Sequence, residues 1–169
     1  RQMTLHAFLR LLTSGRLHRV PGTAVFMDDG LGGVPRALQR LAQTQGTLHE
    51  RVIVLAVEVT DEPRTQKGRR VVATELAPGL YRVVARCGFM ESPNVPGLLR
   101  EAAQAGLPFD PADTTYFLGF DHIVVTRPGG MDRWRKRLFA FMSRNETFAA
   151  EHFGLPARRV VEVGEQLEI

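Results

Sequence analysis

The run "RVIVLAVEV", Arg51–Val59, constrains the fold more than any other stretch of the sequence, because seven of its nine residues are apolar. A strand with one face in water alternates apolar and polar residues, whereas a strand covered on both faces is apolar almost throughout. The run therefore predicts a strand in the interior of a sheet that carries other elements on both faces.

A shorter strand and a helix precede this run. Residues Thr23–Met27 form an apolar run, and the helical pattern over 34–45 has Pro35 in its first turn and Gly46 just past its end. Proline suits the first turn of a helix, and glycine commonly ends one. The order strand, helix, strand predicts a βαβ unit with parallel strands and a right-handed crossover.

The middle of the chain predicts a hairpin. The stretch "RRVVATELAPGLYRVVARCGF" holds two strand-like runs around Pro78 and Gly79, which suit the central positions of a type II turn. Asn94 is a predicted helix cap, and further strands or helices are predicted over 95–105, 114–127, 131–144 and 146–153. The fold class is therefore α/β: a single domain with a mixed sheet that starts with a βαβ unit, contains an antiparallel hairpin and is flanked by helices.

The N-terminal residues are predicted to form a leading segment. Thr4 is a plausible cap for a short helix with apolar residues at helical spacing, which Gly15 ends. This pattern divides the chain into a leading helix and connector, residues 1–17, and an α/β domain, residues 18–169.

The composition excludes several classes of protein. The 169 residues include 22 basic and 18 acidic ones, an excess too small to predict a nucleic-acid partner. A lone cysteine, Cys87, gives no disulfide framework, and the histidines show no metal-ligand spacing. The sequence has no serine nucleophile elbow and no base next to Cys87, so it gives no indication of catalysis. We expect a soluble segment that is not an enzyme, with no metal site and no nucleic acid.

The turn "DDGLGGVP" after the first strand has two interpretations. A glycine turn between a strand and a helix presents backbone N–H groups that can bind an anion, which makes Asp28, Asp29, Gly30, Gly32 and Gly33 candidate ligand-binding residues. The spacing matches neither the dinucleotide fingerprint nor the P-loop, and two aspartates would repel a phosphate. A plain strand-to-helix turn is the simpler interpretation.

The helix predicted over 131–144 carries a basic face opposite its apolar face. The basic residues are Arg133, Lys136, Arg137 and Arg144. Such a face can lie against anionic lipid or an acidic partner, and it can equally be a solvated helix surface.

Five blocks of the sequence are similar to one protein family and occur in the same order along the chain as in that family. They are "RVPGTAVF", "LHERVIVL", "YRVVARCGFMESPNVP", "DTTYFLG" and "LFAFMSRN" followed by "FGLPARRVVEVGEQLEI". They resemble the cytosolic C-terminal portion of bacterial Kup/HAK/KT potassium uptake permeases. The resemblance implies a dimerisation and regulatory domain on the cytoplasmic face of the inner membrane. It also implies that the membrane domain of the same protein carries potassium, coupled to protons, so no potassium-binding residue is assigned here.

The resemblance also implies a partner and leaves the regulator open. It implies a homodimer, for which the C-terminal segment "VVEVGEQLEI" is a candidate edge strand, and residues 1–12 would lead out of the bilayer. An alternative function is nucleotide sensing, with cyclic di-AMP or an adenine nucleotide at the glycine turn and Arg86 and Arg127 near its phosphates. A third class, an independent α/β enzyme or stress-type nucleotide-binding protein, would require the native protein to begin near Arg1.

Overall fold

The computed structural model describes residues 3–28, 32–66, 68, 70–119 and 147–163. Its six strands are β1 (His18–Asp28), β2 (Thr47–Thr60), β3 (Val71–Ala77), β4 (Leu80–Gly88), β5 (Thr114–Gly119) and β6 (Val160–Val163). The helices are α1 (Leu5–Thr13), α2 (Arg36–Arg40), α3 (Val95–Gln104) and α4 (Thr147–His152). The strands form one sheet in the order β3-β4-β2-β1-β5-β6, in which β3 and β4 are antiparallel and all other pairs are parallel. The predicted mixed α/β fold is confirmed.

Both faces of the sheet are covered, as the continuous apolar run of β2 predicts. Alternate residues of β1, β2, β4 and β5 enter one of two apolar clusters. The first cluster unites Val25 and Ile53 with residues of α3 and α4. The second unites Phe26 and Val54 with residues of α1 and α2, and Phe26 stacks on Phe117 at 4.6 Å between ring centroids. The two clusters fix the register of the central strands.

Local signals place several of the helix ends. Thr4 caps α1 by accepting a hydrogen bond from the Ala7 amide at 3.2 Å, and Asn94 caps α3 by accepting from the Gly97 amide at 2.9 Å. Gly46 ends the second helical segment with a φ of +63°. These capping residues agree with the sequence pattern.

Two predicted boundaries differ from the structure. The first strand is predicted over Thr23–Met27, but β1 already begins at His18, because a bulge between Val20 and Thr23 lets the strand continue through Gly22. The helix predicted over 34–45 is α-helical only in α2 and ends in a π-helical turn, Leu41–Gln45. The helix predicted over 131–144, the strand beyond Gly119 and the segment after Val163 lie outside the described residues.

The hairpin turn is confirmed at Pro78 and Gly79. Gly79 has a φ of +78°, a backbone conformation that favours glycine, and its carbonyl accepts a hydrogen bond from the Val52 amide at 2.8 Å. A Cβ at Gly79 would press on the Glu50 carbonyl oxygen. The turn therefore packs directly against β2.

The parallel strands β1, β2, β4 and β5 all end at the same side of the sheet, which we call the carboxyl edge. Asp28, Thr60, Gly88 and Gly119 are the last residues of these strands. In open α/β sheets, ligands usually bind at the carboxyl ends of the strands. It is therefore the first place to look for a functional site.

Candidate functional site

The glycine turn at the end of β1 receives an arginine from β4. The Arg82 Nη2 atom donates a hydrogen bond to the Gly33 carbonyl at 3.1 Å, although β2 lies between β4 and β1 in the sheet. Gly32 has a φ of +80°, and a Cβ there would lie 3.5 Å from Arg82 Nη1. The turn and the guanidinium are thus in direct contact.

Arg82 retains capacity for another partner. Its Nε atom is buried and has no hydrogen-bond partner among the described residues. A guanidinium carries five N–H donors in a plane, an arrangement suited to carboxylate and phosphate groups. Of the candidate ligand-binding residues, Asp28 ends β1 and Gly32 and Gly33 lie in this turn, whereas Asp29 and Gly30 lie outside the described residues.

The arginine that the sequence singles out on β4 is Arg86, and the structure pairs that side chain with Glu58. The distance from Arg86 Nε to Glu58 Oε2 is 3.5 Å, and both side chains are largely exposed. Arg82 and Arg86 share one face of β4 because residues two and four apart in a strand point the same way. That parity is the signal that could have indicated Arg82. Arg127 lies outside the described residues, as do Arg133, Lys136, Arg137 and Arg144.

A second arrangement at the carboxyl edge holds the turn after β4. The Glu91 carboxylate accepts hydrogen bonds from the Gly88 amide at 2.7 Å, the Thr65 amide at 3.0 Å and Arg70 Nη1 at 3.3 Å. Arg70 Nη2 also lies 3.6 Å from Glu101 on α3. We call Thr65, Arg70, Gly88, Glu91 and Glu101 the clamp. The backbone hydrogen bonds from Gly88 and Thr65 lower the pKa of Glu91, because they favour the ionised carboxylate.

The segment that follows β2 is hydrogen-bonded to the turn after β4. The Phe89 amide donates to the Glu62 carbonyl at 2.9 Å, and the Met90 amide donates to the Pro63 carbonyl at 3.1 Å. Gly88 has no room for a Cβ, because Pro63 and Arg64 lie directly over it. The Phe89 and Met90 side chains nevertheless point outward and are 50% and 69% exposed. We call these two side chains the apolar tip.

Cys87 lies beneath the clamp as a buried thiol. Burial raises the pKa of Cys87, and the nearby Glu91 carboxylate adds to that rise. A thiol becomes a nucleophile only as a thiolate, so a raised pKa makes Cys87 unreactive. Its role in the described structure is packing in the first apolar cluster.

The opposite edge of the sheet carries a smaller polar group. Arg51 Nη2 lies 2.7 Å from Asp113 Oδ2, and Arg51 Nε donates to Thr23 Oγ1 at 3.0 Å. Burial lowers the pKa of the neighbouring His49, although Asp113 opposes that shift. Within the described ranges, no group of three or more His, Cys, Asp or Glu side chains could hold a metal ion. None of the described helices is long and apolar enough to cross a membrane.

The fold and these contacts define a small α/β domain whose distinctive features are an arginine-bound glycine turn and a clamped turn with an apolar tip. Residues 21–169 match the family described as "K+ potassium transporter C-terminal domain", and the chain belongs to this family. The resemblance seen in the sequence is confirmed.

Bacterial relatives agree with this assignment. The chain is 45% identical to "Probable potassium transport system protein Kup 1" of Geobacter sulfurreducens over 166 residues, which cover 98% of this chain and 26% of the relative. It is 42% identical over 167 residues to "Probable potassium transport system protein Kup" of Azoarcus sp., covering 99% of this chain and 26% of that protein. The chain thus spans about a quarter of the length of the curated relatives it matches.

Proposed function

We propose that this chain is the cytosolic regulatory and dimerisation domain of a potassium uptake transporter. The observation that carries the proposal is the match of residues 21–169 to a transporter C-terminal domain, together with relatives four times as long. Ion movement, with proton coupling, is assigned to the part of the protein outside this chain. The domain would lie at the cytoplasmic face of the cell membrane, with that membrane part as its partner in the same protein.

Dimerisation is best supported at the free edge of β3. This strand is the outermost one on its side of the described sheet, and its residues 72–75 are all exposed. An edge strand presents unpaired backbone groups to a second chain unless prolines, charges or bulges protect it. The β3 sequence, VVATELA, has no proline and one charged residue, Glu75. The other edge strand, β6, has four described residues, so it offers a shorter pairing surface.

A two-fold axis at Thr74 gives a self-complementary antiparallel pair. Val72 of one chain would face Leu76 of the other, so apolar side chains meet on one face of the joined sheet. Glu75 would face Ala73, so that the two carboxylates are not directly opposed. The Thr74 residues would face each other at the centre, where Cα atoms of opposed residues lie about 4.5–5.5 Å apart. That spacing suits a disulfide.

The variant Thr74→Cys tests this pairing. We expect mild oxidation to give a disulfide-linked dimer on a denaturing gel that a reducing agent removes. The unaltered chain is the matched control, because its sole cysteine, Cys87, is 2% exposed and unreactive. Glu162→Cys on β6 tests the other edge. Dimer formation by the Glu162→Cys variant alone would contradict pairing through β3 and favour pairing through the other edge strand, β6.

A second candidate function, nucleotide sensing, is favoured by Arg82. The guanidinium lies against the glycine turn and has a buried Nε without a partner among the described residues. Guanidinium and backbone N–H groups are the donors that commonly bind phosphates. A phosphate of cyclic di-AMP or an adenine nucleotide would bind beside Gly32 and Gly33, and the nucleotide would then act as a regulator of the transporter.

Calorimetric titration with cyclic di-AMP and with AMP tests this second function. We expect binding heat with one of them, and we expect Arg82→Gln to abolish that heat because the guanidinium donors are lost. Arg158→Gln is the matched control, because Arg158 is an exposed arginine in the segment just before β6. Absence of heat with both nucleotides, or equal binding by the Arg82→Gln variant, would rule the proposal out.

A further inference from the structure

We propose that the apolar tip, Phe89 and Met90, docks against the membrane part of the transporter that precedes this chain. The inference rests on the proposed function and adds to it the surface through which the two parts touch. Solvent-exposed apolar side chains scattered singly are common, so the argument depends on where this adjacent pair lies and how it is held.

The start of α1 shows from which side the preceding chain arrives. The Met3 amide donates to Gln39 Oε1 at 2.9 Å, and Gln39 Nε2 donates to the Val34 carbonyl at 2.7 Å. Val34 lies in the connection that leaves the carboxyl end of β1. The first described residues are therefore tied to the carboxyl edge. From there α1 leads to the opposite edge, where the His18 amide donates to the Gly46 carbonyl at 2.8 Å.

The apolar tip lies at this same edge. Phe89 and Met90 directly follow the last residue of β4, and β4 is two positions from β1 in the sheet. With strands about 4.8 Å apart, β4 lies about 10 Å to the side of β1, and it extends four residues, about 13 Å, beyond the level at which β1 ends. A membrane part joined to Met3 would therefore be next to the surface on which Phe89 and Met90 are exposed.

The clamp holds the tip in a fixed outward position. The amides of Gly88, Phe89 and Met90 all donate to partners within the domain, so three successive backbone N–H groups hold the turn in place. Glu91 ties the turn to Thr65 and Arg70 at distances of 3.0 and 3.3 Å. A loop that merely connected two elements would not need to hold two large apolar side chains in water. Rigid presentation reduces the entropy lost on binding.

The charges around the tip favour a protein partner over anionic lipid. The exposed segment bound across the turn carries both signs, with Asp61 and Glu62 beside Arg64. A lipid-binding surface pairs its apolar residues with a clear excess of Lys and Arg. Among the described residues of this segment and the clamp, the acidic side chains Asp61, Glu62, Glu91 and Glu101 outnumber the basic ones, Arg64 and Arg70. We therefore assign the apolar tip to the protein surface of the membrane part.

Photo-crosslinking in the full-length transporter, in its native membrane, tests the inference. The photoreactive amino acid p-benzoylphenylalanine replaces Phe89 in one variant and Met90 in another, and a protease site separates the membrane part from this domain. We expect irradiation to keep the two parts joined after cleavage, at several-fold higher yield than with the same substitution at Val161. Val161 is the matched control, because it is a 43% exposed apolar residue on the far edge strand.

The other outcomes are distinguishable. Adducts with lipid alone, adducts with a second copy of this domain, or a yield no higher than at Val161 would each overturn the assignment. Normal abundance of the unirradiated variants in the membrane would show that they fold. If Thr74→Cys still forms the disulfide dimer while the tip forms no adduct with the membrane part, this inference fails and the proposed function stands.

Discussion

Replacing Glu91 with alanine is expected to destabilise the domain by about 3 kcal/mol, because two backbone amides and the part-buried Arg70 lose a charged hydrogen-bond acceptor. Arg70 is only 18% exposed and would lose its Glu91 partner, while the Gly88 and Thr65 amides would lose their acceptor. For a domain of this size the melting temperature should fall by about 6–12 °C. Thermal and urea unfolding of the chain measure the change.

The matched control for this prediction is Glu151→Ala, which removes an exposed carboxylate from α4. We expect the control to change stability by less than about 0.5 kcal/mol, as surface substitutions usually do. Equal stability of the Glu91→Ala and Glu151→Ala variants would contradict the clamp. It would also remove the rigid support on which docking of the apolar tip depends.

The clamp also predicts how stability depends on pH. The pKa of Glu91 is lower in the folded chain than its unfolded value of about 4.3, because Gly88 and Thr65 donate to the carboxylate. A lowered carboxyl pKa stabilises the fold above the unfolded pKa, and that stabilisation is lost as pH falls through the folded pKa. The variant Glu91→Gln should therefore lose less stability than the unaltered chain on acidification below about pH 4.3.

Replacing Gly79 with alanine is expected to cost about 3 kcal/mol, since a left-handed conformation costs a non-glycine residue about 1–2 kcal/mol and the added Cβ strikes backbone. The φ of Gly79 is +78°, and the Glu50 carbonyl lies where the Cβ would be. The hairpin must shift away from β2 to accept the methyl group. Denaturant unfolding measures the loss.

Gly15→Ala separates the two contributions at Gly79. Gly15 has a similar φ of +70°, but a Cβ there would meet nothing within 4 Å. We expect this control variant to lose about 1 kcal/mol, from the backbone conformation alone. Equal losses in the Gly79→Ala and Gly15→Ala variants would show that the turn does not press on β2 as described.

Elements with strong local signals could be predicted from the sequence. The apolar run of β2 indicates burial on both faces, Pro78 and Gly79 specify the hairpin turn, and Thr4 and Asn94 specify two helix starts. The strand order could not be predicted, because a βαβ unit and a hairpin are compatible with several mixed sheets. The early start of β1 was missed because its bulge at Gly22 interrupts the apolar pattern.

The candidate site was harder to predict, because its contacts join residues that are distant in the chain. The glycine turn was identified, but Arg82 reaches it only because β4 lies two positions from β1. The clamp joins Arg70 to Glu91 and Glu101, and charged residues on separate elements carry no local sign of pairing. The assignments of ligand-binding and partner-facing residues stay predictions.

The most direct test of the central claim is potassium uptake by the full-length transporter carrying Thr74→Cys, in a background without other reactive cysteines. Uptake is measured before oxidation, after oxidation and after reduction, alongside the fraction of disulfide-linked dimer. If pairing of this domain regulates transport, locking the pair should change the maximal uptake rate, leave the potassium concentration for half-maximal uptake unchanged, and be reversed by reduction. Complete crosslinking with an unchanged uptake rate would contradict the claim.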